Sequence, residues 1–147
     1  MLSQKTNIAV VDTPNLLFYH SHRGISQIES NIVAILVLCS GGLQLIMTLT
    51  PKIQKEIPEF GNFMEIISNS NKIKLVETKL QDPDEVALSL ADELKAPIIT
   101  NDKFRQDKYK NFKSRSRVIR FDIIGEKLIP RSPYWQAYIG VIKSSMG

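Results

Sequence analysis

Three acidic groups in this chain stand where carboxylates could act together. Asp12-Thr-Pro-Asn15 follows one short apolar run, and Thr100-Asn101-Asp102 follows another. Asp82-Pro-Asp84-Glu85 opens the most regular amphipathic stretch. Gathered carboxylates repel unless a cation joins them, and hard oxygen donors select Mg²⁺ or Mn²⁺. Such an ion lowers the pKa of a bound water and neutralises a phosphodiester during in-line displacement. Each acid also has an ordinary structural reading. Asp84 suits a helix N-terminus, Asp12 and Asn15 suit a turn after a strand, and Asn101-Asp102 suits a helix cap. For any one acid the structural reading is the better one; three at strand edges of one sheet favour a site.

The elements that must position these acids are legible as alternating strands and helices. Asn7-Ile-Ala-Val-Val11 reads as a buried strand. From about Ser26 to Leu38, Ile28, Ile32, Ile35, Leu36 and Cys39 recur at helical spacing, and Gly41-Gly42 ends the helix. Leu43 to Leu49 is a second strand. Thr50-Pro51 opens a further helix as cap and first residue, interrupted near Pro58 and Gly61. Lys72 to Thr78 is a third strand. Asp84 to Lys95 is a helix with Ala87, Leu90, Ala91 and Leu94 on one stripe, a stripe that Asp84 continues toward the sheet edge. Pro97 to Thr100 is a fourth strand, a basic and mostly helical stretch follows, and Arg117 to Ile123 is a fifth. Gly125 turns the chain into a short sixth strand at Lys127 to Ile129.

This alternation implies parallel pairing with right-handed crossovers: an α/β fold, a three-layer α/β/α sandwich with a mainly parallel central sheet of about five strands. Residues 1–147 read as one domain, a length that buries a core unaided. Ligands of such sheets bind beyond the carboxyl ends of the strands, where Asp12 and Asp102 are expected.

The net charge of +4 is unevenly spread. Between residues 103 and 120, Lys103, Arg105, Lys108, Lys110, Lys113, Arg115, Arg117 and Arg120 face Asp107 alone, so this block carries +7 and the remainder −3. A basic block on a mildly acidic body suits a polyanion; it equally suits a solvated surface. One cysteine, Cys39, excludes an internal disulfide and a cysteine-rich zinc site and fits a reducing compartment. No leader pattern opens the chain, and the longest apolar run falls far short of the ~20 residues of a membrane span, so a cytoplasmic protein without a membrane partner is expected. His20 and His22 make a poor zinc site. Lys52 and Lys55, at a helix opening, are candidate phosphate contacts. Tyr134, Trp135 and Tyr138 offer either a stacking platform or packing.

Val11-Asp-Thr-Pro-Asn15 with His20 and Arg23-Gly-Ile25 resembles the opening segment of the Regnase-like ribonucleases, whose catalytic part is a PIN-like NYN domain. Leu45 to Pro51 is similar to that family's second strand and helix entry. Ile98-Ile-Thr-Asn-Asp-Lys-Phe-Arg105 resembles its most specific motif, and Arg117-Val-Ile-Arg-Phe with Gly125 to Pro130 its closing hairpin. A looser resemblance extends to the nuclease domain of protein-only RNase P. The resemblance implies adjacent first and fourth strands, and Mg²⁺-dependent endonucleolytic cleavage of single-stranded or looped RNA. It carries over Asp12, Asp84 and Asp102 as metal-binding acids and Asn15 and Asn101 as supporting polar ligands. Pro83 stands where the family usually has a second acid, for which Asp82 and Glu85 are candidate substitutes with side chains expected to point differently, and Gln106 stands where an acid commonly follows, with Asp107 one step on.

The reading that joins these observations is an RNA endonuclease. Asp12, Asp84 and Asp102 hold one or two Mg²⁺ or Mn²⁺ ions, an activated water attacks phosphorus, and Lys52, Lys55, Lys103, Arg105, Lys108 and Lys110 meet the RNA. The alternatives are a non-catalytic RNA-binding module of the same fold and the toxin nuclease of a toxin–antitoxin pair, whose partner is a protein inhibitor. A homodimer is a further assembly to test.

Overall fold

The computed structural model describes residues 8–18, 28–40, 42–56, 64–65, 67, 69–79, 81–124 and 127–131. The expectations for His20, His22, the Pro58–Gly61 interruption, Gly125 and the aromatic residues 134–138 lie outside these residues. Five parallel strands form the central sheet in the order β3-β2-β1-β4-β5. They are β1 Ile8–Val11, β2 Gln44–Leu49, β3 Ile73–Glu77, β4 Ile98–Ile99 and β5 Val118–Ile119. The helices are α1 Thr13–Leu17, α2 Ile28–Ser40, α3 Pro51–Glu56 and α4 Pro83–Leu94.

A parallel sheet is covered on both faces, so its central strands must be apolar throughout. In β1, Ala9, Val10 and Val11 are all fully buried. The strand's period of two divides them. Ala9 and Val11 pack into a large cluster with Leu16 and Leu17 of α1, Ile32 and Ile35 of α2, and Ile53 of α3. Val10 points the other way, into a smaller cluster with Ala87, Leu88 and Ala91 of α4 and Ile98 of β4. The switch in strand order falls at β1, with β2 on one side and β4 on the other. The first and fourth strands are therefore neighbours.

Helix α4 starts and stops for local reasons. The Asp82 carboxylate accepts the Asp84 N–H at 3.0 Å, and Pro83 follows at the first position, where a missing N–H costs nothing. The helix ends as Lys95 turns left-handed at φ 54°, with the Ala96 N–H donating back to the Ala91 carbonyl.

Three features differ from the sequence reading. The short helix α1 was not expected; Pro14 in its first turn and the burial of Leu16 and Leu17 create it. The stretch expected to be basic and helical is instead loop with two 3-10 turns, Asp107–Tyr109 and Lys113–Arg117. It lacks an apolar stripe of helical period, and is held at points: Phe104 and Tyr109 are buried, and the Ser114 hydroxyl donates to the Leu88 carbonyl at 2.9 Å. The expected fifth strand divides at Arg120. Val118–Ile119 stays in the sheet, whereas β6 Phe121–Ile124 pairs antiparallel with β7 Lys127–Pro130 in a separate ribbon. The cause is Asn101, whose side-chain amide takes both the N–H and the carbonyl of Phe121, at 2.9 and 3.0 Å. At that point a side chain replaces the neighbouring strand.

Candidate metal centre

The period that sends Val10 toward α4 sends Asp12, two residues on, to the same side. Ile98 and Thr100 are related in the same way, and Val10 pairs with Ile98 in register. Asp12 and Thr100 consequently meet at the carboxyl edge of the sheet, where the Thr100 hydroxyl donates to Asp12 Oδ2 at 2.7 Å. Asp84 reaches the same edge from the first turn of α4, the helix packed on that face. Asp102 arrives from the loop after β4, where its N–H donates to the Thr100 hydroxyl at 3.0 Å. Asp102 Oδ1 accepts the Phe104 N–H at 2.8 Å. This holds Phe104 at φ 48°, a left-handed conformation that costs a bulky side chain on the order of 1 kcal/mol; burial of its ring offsets that cost.

One carboxylate oxygen from each of Asp12, Asp84 and Asp102 lies within 4.8 Å of the other two. The electrostatics show what this crowding costs. Burial, with repulsion from Asp84 and Asp102, pushes the Asp12 carboxyl up to about 6, against the Thr100 hydroxyl and the Asn15 N–H, which favour its charged form. Asp84 is also raised, first by burial and then by Asp102 and Asp82. Among the described residues no lysine or arginine forms an ion pair with any of the three. A divalent cation bound by these oxygens would remove both the desolvation cost and the repulsion, and a wholly carboxylate donor set suits Mg²⁺ or Mn²⁺.

Two open hollows flank the acids and share Asp84 and Asp102 as their common wall. One, of about 420 Å³, adds Asp12, Asn15 and Thr50. The other, of about 450 Å³, adds Lys103, Arg105 and Tyr109. Among the described residues, the cations line one side of the groove only.

The remaining candidates are placed as follows. Asn15 Oδ1 accepts the Asn101 N–H at 2.8 Å, which ties the loop after β1 to the loop after β4. The Asn101 side chain is turned away, onto Phe121. Asp82 caps α4 and accepts Lys108 Nζ and the Tyr109 hydroxyl, both at 2.7 Å. Burial works against its charge, but those two bonds and the Asp84 N–H leave its carboxyl below the usual range. Glu85 lies outside the acid cluster, in a separate groove with Ser89 and Glu93 along α4. Lys103, Arg105, Lys108 and Lys110 are exposed, as is Lys55 at the end of α3; the Lys52 side chain lies outside the described residues. Two participants were missed. Thr100 was visible as a polar residue on the Ile98 face of its strand. Tyr109 gave no signal beyond being an aromatic residue inside a basic block.

The Zc3h12a-like ribonuclease NYN domain family matches residues 5–134. The chain belongs to that family. Its fold is also similar to two solved structures of the nuclear proteinaceous RNase P 2 (PRORP2) of Arabidopsis thaliana. One aligns with a TM-score of 0.61 at 20% identity over 90% of this chain, the other with 0.62 at 21% over 86%. The chain spans about a third of the length of those proteins, 31% and 30%. No curated protein matches it by sequence. Pro83, where the family resemblance implies an acid, has a local reason: proline is the favoured first residue of a helix, and here it follows a capping aspartate.

Proposed function

We propose that this NYN domain is an endoribonuclease that cleaves single-stranded or looped RNA and depends on Mg²⁺ or Mn²⁺ held by Asp12, Asp84 and Asp102. The observation that carries the reading is the convergence of three carboxylates with which no lysine or arginine among the described residues forms an ion pair, beside a hollow walled by Lys103 and Arg105. A cation bound there supplies an activated water and neutralises charge on the phosphodiester. The protein's own groups prepare the site. Thr100 fixes Asp12 by its hydroxyl and Asp102 through that residue's N–H. Asn15 and Asn101 lock the two loops that present them. Lys103 and Arg105 attract the strand to one side of the acids and hold its phosphates there.

A second reading, a non-catalytic RNA-binding module, is favoured by one observation: Asp82, beside the Pro83 position where the resemblance implies an acid, is already paired with Lys108 and Tyr109. Incubating the protein with end-labelled single-stranded RNA and Mn²⁺, with and without chelator, separates the two. Cleavage that chelator abolishes supports the nuclease; binding without cleavage at any Mn²⁺ concentration supports the module. A single cysteine in this sequence suits the reducing, cytoplasmic setting proposed for it.

A further inference from the structure

Tyr109 belongs to the basic loop by sequence and to the acid cluster by position. Its ring is buried against Val10, Leu88 and Ile98, and packs edge-on to Phe104, with centroids 5.8 Å apart and an interplanar angle of 79°. The ring therefore has one orientation, and that orientation aims the hydroxyl at the first turn of α4. There it lies 2.7 Å from Asp82 Oδ2 and 3.4 Å from Asp84 Oδ2. Among the described residues it is the only side-chain donor that reaches the Asp84 carboxylate. Asp82 cannot yield to it, because its other oxygen caps the helix and Lys108 holds it from outside.

We propose that Tyr109 is a positioning residue for Asp84, holding its carboxylate toward Asp12 and Asp102 in the arrangement a divalent cation requires. The inference rests on the metal-dependent reading above. Asp84 is half-buried on the first turn of α4 and is repelled by Asp102 and by Asp82. With nothing to hold it, such a side chain turns outward to water. The hydroxyl proton goes chiefly to Asp82 at 2.7 Å and is shared with Asp84 at 3.4 Å, which weakens the repulsion between the two carboxylates and gives Asp84 a contact in its present orientation. Groups that orient a metal ligand in this way typically affect metal affinity by roughly 10–100-fold. The contact at 3.4 Å is long, which places Tyr109 at the lower end.

Tyr109→Phe keeps the ring and removes the hydroxyl. Mn²⁺ binding is measured without RNA by the electron paramagnetic resonance signal of free Mn²⁺, and cleavage is titrated with Mn²⁺. The dissociation constant and the half-saturating Mn²⁺ for cleavage are expected to rise together by roughly tenfold. The rate at saturating Mn²⁺ and the KM for RNA are expected to recover to wild type, and Tm in chelator to change little. A lower Tm with unchanged Mn²⁺ affinity makes Tyr109 purely structural and overturns the proposal. Phe104→Leu loosens the ring's support and keeps the hydroxyl, so it should weaken Mn²⁺ binding by a smaller factor; no change in either variant also overturns it. A wild type that takes up no Mn²⁺ ends the metal reading and this inference together, whereas wild-type binding equalled by Tyr109→Phe ends this inference alone.

Discussion

Two groups of charge lie side by side at the start of α4. Asp82 has a helix N–H, a lysine and a tyrosine hydroxyl, and its carboxyl is stabilised in the charged form. Asp12, Asp84 and Asp102 crowd together within 4.8 Å, and the first two are pushed toward the neutral form by burial and by their neighbours. One group is complete as it stands and behaves as scaffold. The other is costly as it stands, and among the described residues no lysine or arginine is paired with it. The contrast separates the acid that fixes a helix from those proposed to hold a cation, although sequence places Asp82 and Asp84 only two residues apart.

Asp102→Asn is the strongest way to break the contrast. Asparagine can still accept the Phe104 N–H and so keeps the loop, but it removes one charge from the cluster. Mn²⁺ affinity and cleavage should fall together by more than the roughly 100-fold upper range of an orienting group. Stability in chelator should rise, because Asp102 repels both Asp12 and Asp84. Mn²⁺-dependent cleavage equal to wild type would remove Asp102 from the site and leave it a turn former.

The pH dependence of stability should show the same cost directly. The Asp12 carboxyl moves from its ordinary 3.8 to about 6 in the folded chain, so between these values the folded state holds a proton that the unfolded state has released. In chelator, its contribution to stability is therefore fully present below about pH 4 and is lost as pH rises through 6. The loss is on the order of 2–3 kcal/mol, at about 1.4 kcal/mol per unit. Asp84 acts in the same direction. With Mn²⁺ the trend should reverse, since the ion binds the charged form. Urea titrations from pH 4 to 8, with and without Mn²⁺, test this; Asp12→Asn should flatten both curves, and a chelator curve that rises through pH 6 would contradict the assignment.

Asn101→Ala asks to which group Asn101 belongs. It removes the two bonds that divert Phe121 from the sheet. As scaffold its loss should cost about 1–3 kcal/mol, from about 0.5–1.5 per hydrogen bond, with Mn²⁺ affinity held once the protein is folded. If affinity falls and stability does not, Asn101 acts as the metal-supporting ligand that the family resemblance implies.

Much of this arrangement was legible in the chain because it follows from strand period and chain direction. The apolar and alternating runs placed the first four strands and the start of the fifth, and the resemblance added that the first and fourth are adjacent. From the period, Asp12 and Thr100 had to share the face of Val10 and Ile98. What was not legible depends on contacts far apart in sequence. Asn101 rerouting Phe121 spans 20 residues, and Tyr109 reaching Asp82 spans 27. Neither leaves a local pattern. The basic block misled for a related reason: its charges resemble a solvated helix, whereas its conformation is set by the buried Phe104, Tyr109 and Ser114.

The smallest expected effect distinguishes cations already committed to the scaffold from cations open to RNA. Lys108 is paired with Asp82 and lies 5.0 Å from the centre of the Tyr109 ring, whereas Lys110 is exposed and forms no ion pair among the described residues. Each phosphate contact to a single strand contributes about −0.7 to the slope of log affinity against log salt. Lys110→Gln should therefore flatten the slope for single-stranded RNA by about 0.7 if Lys110 meets one phosphate. Lys108→Gln should flatten it less, because part of its charge is spent on Asp82. The same substitution also withdraws the cation nearest the Asp82 carboxylate, so Mn²⁺ binding is measured alongside. Equal slopes for the two variants would mean that Lys108 leaves Asp82 to meet RNA, and that the boundary between the two charge groups is redrawn when substrate binds.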